Sequence, residues 1–171
     1  MITKSFKEYN SIEGSVVTIG TFDGIHLGHQ DIIHKLQEIS NKKKLKSIVL
    51  SFFPHPKIVL QNSTDIKLIN TLDEKVEILK KYNIDYFIIK EFTKKFSRLT
   101  ALEFVRDILV NTLNAKHLII GYDHHFGRNR GANIIQLREF GEIYDFEVTE
   151  ISPRKINDIS ISSTKIRALL K

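Results

Sequence analysis

The sequence predicts a doubly wound α/β domain, a parallel sheet with helices on both faces, and a single domain over residues 1–171. Two observations lead there. Short apolar runs rich in isoleucine and valine alternate with segments whose apolar residues recur at helical spacing, and strands covered on both faces read as continuous apolar runs. No internal repeat, low-complexity tract or composition shift marks a second unit, and 171 residues with 42% hydrophobic and 27% charged content suit one globular core.

The elements follow in order. SVVTI, residues 15–19, is a buried strand ended by Gly20, and from Gly28 the positions Ile32, Ile33, Leu36 and Ile39 mark a helix. SIVLSF, residues 47–52, is a second strand, stopped by Pro54 and Pro56. Thr71 opens a helix with Glu74 as its capping-box partner, and Val76, Ile78 and Leu79 follow. YFII, residues 86–89, is the third strand. Thr100 with Glu103 begins another helix that buries Phe104, Val105, Ile108 and Leu109. LIIG, residues 118–121, is a fourth strand. A helix over 133–140, a strand over 146–151 and a last helix from near Ser163 complete a Rossmann-like pattern.

Composition excludes several classes. The chain has no cysteine, so disulfides and cysteine–metal sites are ruled out and a reducing cytoplasm is the expected compartment. MITKSFKEYN has no apolar signal region, and no apolar run is long enough to cross a bilayer. Net charge is +6, with a pI near 9.4. The lysines cluster at Lys42–Lys44, Lys80–Lys81 and Lys94–Lys95 without interleaved aromatics, so they read as solvated faces, not as a nucleic-acid surface. Neither nucleic acid nor membrane is an expected partner.

In a doubly wound sheet, ligands bind beyond the carboxyl ends of the strands. The segments there are GTFDGIHLGH, FFPHP, GYDHHFGRNRG and ISPRKINDISISST, which carry every histidine except His34 and His117 and all three prolines. They are expected to line one site. In the first, Gly20 and Gly24 allow a sharp turn and close approach to a ligand, while His26 and His29 flank Gly28 at a helix N-terminus. That arrangement suits phosphate oxygens, because free N–H groups and the helix dipole favour an anion. Two surface histidines on a helix cap are the plainer alternative, and zinc at an i, i+3 histidine pair is another. The glycine-rich strand-to-helix turn favours phosphate over both. Neither GxxxxGK[ST] nor GxGxxG occurs. In the last segment Ser162, Ser163 and Thr164 precede Lys165 and Arg167. One hydroxyl explains a cap; three consecutive ones followed by two cations suit a triphosphate tail.

HxGH after the first strand with ISSTKIR at the chain end resembles the nucleotidylyltransferase superfamily related to class I aminoacyl-tRNA synthetases. With FFPHP and GYDHHFG added, the likeness narrows to the FMN adenylyltransferase (FAD synthetase) module of the bacterial bifunctional riboflavin kinase/FAD synthetase family, over about residues 16–170. That resemblance implies AMP transfer from ATP to FMN, giving FAD and pyrophosphate, with Mg²⁺ accompanying ATP and no protein metal ligands. It implies His26, His29 and Arg167 as catalytic residues. Gly20, Thr21, Phe22, Asp23, Gly24, Gly28 and Asp123 would surround ATP, and Ser162, Ser163, Thr164 and Arg167 would hold its outer phosphates. Ser51, Phe52, Pro54, His55, Pro56 and Phe126 would border FMN. His124, His125, Arg128 and Arg130 are read either as site groups or as exposed loop residues.

The family continues into a kinase domain that phosphorylates riboflavin. This chain stops one helix after ISSTKIR, so it is expected to be an excised or stand-alone module, with the kinase absent or supplied as a fused or separate partner. Rival readings are another small nucleotidylyltransferase, of the pantetheine-phosphate or glycerol-phosphate type, and a nucleotide- or flavin-binding module without turnover. FFPHP and GYDHHFGRNRG argue against the first, and the presence of every motif residue argues against the second. A synthetase fragment is disfavoured because nothing resembles KMSKS.

Overall fold

The computed structural model describes residues 1–61, 66–122, 124–156 and 159–170. The order of elements is β1 (Ile2–Ser5), β2 (Ser15–Ile19), α1 (Leu27–Lys43), β3 (Lys46–Phe53), α2 (Pro56–Gln61), α3 (Leu72–Lys80), β4 (Tyr86–Glu91), α4 (Ala101–Glu103) with a π-helical continuation (Phe104–Val110), β5 (Ala115–Gly121), α5 (Ile134–Tyr144), β6 (Glu147–Ile151), the small hairpin β7 (Lys155–Ile156) and β8 (Ile159–Ser160), and α6 (Ser163–Leu169). Six strands form one sheet in the order β1-β4-β3-β2-β5-β6, with parallel pairing throughout. The chain runs from β2 to β3 and β4 on one side, then returns to β5 and β6 on the other. Strand order therefore reverses between β2 and β5, where such a sheet opens a crevice.

Strand periodicity explains the two layers. Val17, Ile19, Ile48, Leu50, Leu118 and Ile120 point to one face, where they meet Val105, Ile108, Leu109 and Leu137. Their neighbours Val16, Val49, Phe87 and Ile119 point to the other and meet Ile33, Leu36, Ile39 and Leu79. The doubly wound fold predicted from the sequence is thus the one observed. Burying each such side chain contributes roughly 1.5–3 kcal/mol before conformational entropy is set against it.

Helix ends follow local chemistry. Thr71 caps α3, accepting the Glu74 N–H at 3.2 Å, while the Glu74 carboxylate accepts the Thr71 N–H at 2.8 Å. Thr100 and Glu103 make the same box. Beyond Glu103 the helix widens: Asn111 N–H donates to Arg106 O and Leu113 N–H to Ile108 O, both across five residues. At the end of α1, Lys42 and Lys43 lie in the last turn, where cations complement the helix dipole. Three elements lie outside the sequence expectation. β1 is a mostly exposed edge strand whose order comes from pairing with β4. β3 ends at Phe53, before Pro54, and α2 begins at Pro56, a residue that suits the first position of a helix. The hairpin β7–β8 is only two residues a side.

Leu36 is fully buried, so Leu36→Ala is expected to cost about 2–5 kcal/mol, whereas Thr71→Ala removes one cap and about 1 kcal/mol. Urea titrations with unchanged slope check both, since the contrast must appear in the midpoints alone.

Candidate active site

A cleft of about 780 Å³ opens at the carboxyl ends of the central strands, and all four segments picked out by the strand-end rule contribute to it. Gly20, Thr21, Phe22, His26, Gly28 and His29 line it from the β2–α1 turn, and Phe52, His55 and Pro56 from the end of β3. Phe126 lines it from the loop after β5, and Ser162, Ser163, Thr164 and Arg167 from the start of α6. His124, His125, Arg128 and Arg130 border it too. Asp23, Gly24 and Ser51 stand behind this wall, and Pro54 follows a cis peptide bond beside it. Asp123 lies outside the described residues.

The β2–α1 turn is held in an unusual shape. Phe22 has φ 48°, Gly24 φ 84° and Ile25 φ 35°. A side chain on Gly24 would meet Ile69 Cδ1 at 2.8 Å, so this glycine answers both the conformation and the close packing. Positive φ at Phe22 and Ile25 costs on the order of 1–3 kcal/mol each and persists only where surroundings over-determine it. They do so here: Ser51 Oγ and Lys75 Nζ donate to Thr21 O at 3.3 and 3.0 Å, and Gln30 Nε2 donates to Ile25 O at 3.1 Å.

The turn delivers the chain into α1. α3, α4, α5 and α6 are capped by the side chains of Thr71, Thr100, Asn133 and Ser162, but His26, the N-cap of α1, makes no side-chain capping bond. The donor end of α1 thus faces the cleft without a side-chain cap from its N-cap residue, an arrangement that suits an anionic ligand. The His26 and His29 rings stack there at 3.8 Å between centroids, 19° from parallel, and Phe22 packs 4.9 Å from His29. Burial, then the neighbouring His26 and Lys75, push the His29 imidazole down to about 3. At neutral pH it is an uncharged hydrogen-bond donor. His55 is likewise pushed down to about 4, chiefly by burial and against the pull of Asp23.

Asp23 is wholly buried and joins the turn to two distant segments. Its Oδ1 accepts the N–H groups of Ile69 at 2.9 Å and Asn70 at 3.3 Å, and its Oδ2 is paired with Arg167. Its own carbonyl accepts from Ser163 Oγ at 2.8 Å. Ser162 Oγ accepts the Lys165 N–H at 3.3 Å as the cap of α6. The hydroxyl run thus meets the first turn directly.

An apolar wall faces this polar end. Phe52, Phe92 and Phe96 contact one another at 5.5–5.7 Å, and the chain of rings continues to Phe104 and Phe126 at 6.2 and 5.9 Å. Phe92, Phe96, Lys75 and Arg154 were missed by reading the sequence. Arg154 lines the cleft and pairs with Asp31 at 3.7 Å. Among the described residues, no group of three His, Asp or Glu side chains is placed to hold a metal ion, and no helix is long and apolar enough to cross a membrane.

Residues 8–165 match the family model described as FAD synthetase. Among curated proteins, the chain is 42% identical over 97% of its length to a bifunctional riboflavin kinase/FMN adenylyltransferase of Buchnera aphidicola, of which it covers 52%. It is 35% identical over 92% of its length to an FAD synthetase of Listeria monocytogenes, covering 63% of that protein. The chain spans about half the length of the first of these relatives. Among solved structures, a Streptococcus pneumoniae protein described as a macrolide-efflux protein superimposes with a TM-score of 0.85 at 29% identity, over 98% of this chain and 55% of that one. A pantothenate synthetase of Thermus thermophilus shares the fold, with a TM-score of 0.58 at 12% identity, over 97% of this chain and 67% of that one.

The histidine shift has a consequence for stability. An unfolded imidazole titrates near 6.5, whereas folded His29 does so near 3. Between those values the unfolded chain binds more protons, so the contribution is complete above pH 6.5 and is lost as pH falls through the window. Thermal unfolding midpoints are expected to drop from pH 7 to pH 4, with a shallower drop for His29→Gln.

Proposed function

The chain belongs to the FAD synthetase family, and on that premise we propose that residues 1–171 act as one adenylyltransferase domain that transfers the AMP moiety of ATP to FMN, giving FAD and pyrophosphate. The observation that carries this reading is the two-ended cleft: an uncapped helix N-terminus with a stacked histidine pair at one end, and a continuous phenylalanine wall at the other. The first suits phosphates; the second suits a flat tricyclic ring, which neither a pantetheine nor a glycerol acceptor would use.

An FMN phosphate oxygen attacks the α-phosphorus of ATP as the bond from that phosphorus to the pyrophosphate oxygen breaks. No covalent enzyme intermediate is needed, so catalysis rests on alignment and charge stabilisation. His26, Gly28 and His29 hold the α-phosphate against the donor end of α1. His29 acts as a neutral donor and adds no charge, following the pattern of uncharged imidazoles at helix N-termini. Ser162, Ser163, Thr164 and Arg167 receive the β- and γ-phosphates that leave. Gly20, Thr21, Phe22, Asp23 and Gly24 shape the nucleotide turn, and Asp123 is assigned to the ATP side from its place in GYDHHFG alone. Ser51, Phe52, Pro54, His55, Pro56 and Phe126 form the flavin side. Bound with ATP, Mg²⁺ would supply neutralisation of phosphate charge, with no cluster of three His, Asp or Glu among the described residues to hold it. The nature of the substrates supports a cytoplasmic setting for this reaction. A riboflavin kinase, fused or separate, supplies FMN.

Incubation with FMN, ATP and Mg²⁺ is expected to yield FAD and pyrophosphate on chromatography, and the same mixture with CTP none. FAD missing from a folded protein that binds both substrates would leave a binding module instead. His29→Ala is expected to lower kcat by about 10²–10³ with flavin affinity unchanged, because the interaction strengthens in the transition state. A matching loss of flavin affinity would remove His29 from that role.

A further inference from the structure

Lys75 is a buried cation that this reaction, as described, leaves without a task. It is 5% exposed and is the fourth residue of α3. Lysine is almost never so buried unless paired, and near a helix N-terminus it faces the positive end of the dipole. Both features run against local preference, which is the mark of a residue held for another reason. Burial draws its pKa down, against the Asp23 carboxylate, which pulls it up.

Its ammonium donates to the carbonyl of Thr21, 54 residues earlier, at 3.0 Å. Thr21 lines the cleft, but Lys75 and Ser51, the two donors to its carbonyl, do not. The oxygen is therefore bound from the inner side of the turn. Carbonyls at alternate residues are held as well, Asp23 O by Ser163 of α6, which lines the cleft, and Ile25 O by Gln30 of α1. Three carbonyls of this strained turn, those of Thr21, Asp23 and Ile25, are thus each tied down by a side chain. A carbonyl aimed at a phosphate repels it, whereas amide groups attract it.

We propose that Lys75 is a positioning residue for the triphosphate end of the cleft, holding the Thr21 carbonyl on the inner side of the turn and so keeping its dipole off the phosphates of ATP. The proposal takes its ligand from the adenylyl-transfer reading. It acts through Thr21, and Lys75 itself touches no substrate.

The test compares Lys75→Met, Lys75→Gln and Lys75→Arg with the parent chain, measuring FAD formation and, separately, ATP binding by calorimetry. Each neutral variant is expected to raise KM and Kd for ATP about 10- to 100-fold, the worth of a hydrogen bond to a charged group. KM for FMN should stay within about twofold, and Lys75→Arg should recover most of the ATP affinity. An ATP affinity unchanged in a folded neutral variant overturns the proposal. So does a loss as large in Lys75→Arg, an equal loss for FMN, or failure of both neutral variants to fold, since each describes a merely structural lysine. If the parent chain binds ATP but makes no FAD, the catalytic reading fails while calorimetry still decides the role of Lys75. If it binds no ATP, both fall.

Discussion

The buried carboxylate of Asp23 is the constraint on which the cleft depends. It has no contact with solvent, and an ionised group in that position is tolerated only when its lone pairs are used. Here two backbone amides ahead of α3 and the guanidinium of Arg167 use them. The three segments involved are far apart in the chain, and none is positioned by the sheet alone. The carboxylate joins the β2–α1 turn to the helix that ends the chain, so the polar end of the cleft assembles as one unit. Such pairs add little net stability over an apolar substitute, yet removing one partner strands the other. Their value here is in specifying geometry.

That unit is electrostatically spare. The chain carries +6 overall, yet His29 and His55 are held neutral by burial and Arg167 is already paired. In the proposed reading, attraction for phosphate at this end draws on oriented dipoles: a helix N-terminus without a side-chain cap and a turn whose Thr21 carbonyl is held inward. Fixed dipoles need no reorganisation when charge shifts from nucleophile to leaving group, which is what in-line transfer between two phosphates demands. Longer-range attraction falls to the cations around the cleft, such as Lys94, Arg128 and Arg130, which serve on-rate more than chemistry.

Much of this was readable from residue order. Strand ends marked by Gly20, Pro54 and Gly121 located the cleft, because a parallel sheet gives those ends a common side, and the capping boxes at Thr71 and Thr100 set two helix starts. What was not readable depended on contacts remote in the chain. Ile2–Ser5 is a strand only because β4 offers an edge. Lys75 reads as a surface residue in DEKVE, and nothing local shows that its ammonium reaches Thr21. Phe92 and Phe96 carry a weak signal in their i, i+4 spacing, which a core helix produces equally well. Nor does residue order show the side-chain partners of Asp23, which are Ile69, Asn70 and Arg167.

Arg167 then has two claims on it, one from Asp23 and, in the proposed reaction, one from the departing pyrophosphate. The claims are compatible, because a guanidinium carries five donors in a rigid plane and a carboxylate engages only part of that fork. Asp23 takes Nη1 from the buried side, while Arg167 keeps 16% of its side chain exposed and lines the cleft. The ion pair orients the plane, and in the proposed reading the unused edge is the one that meets phosphate oxygens. An arginine so fixed loses little rotamer freedom when the ligand arrives. Support of this kind explains why a long, flexible side chain near the end of the chain is held in place by a buried acid in the first turn.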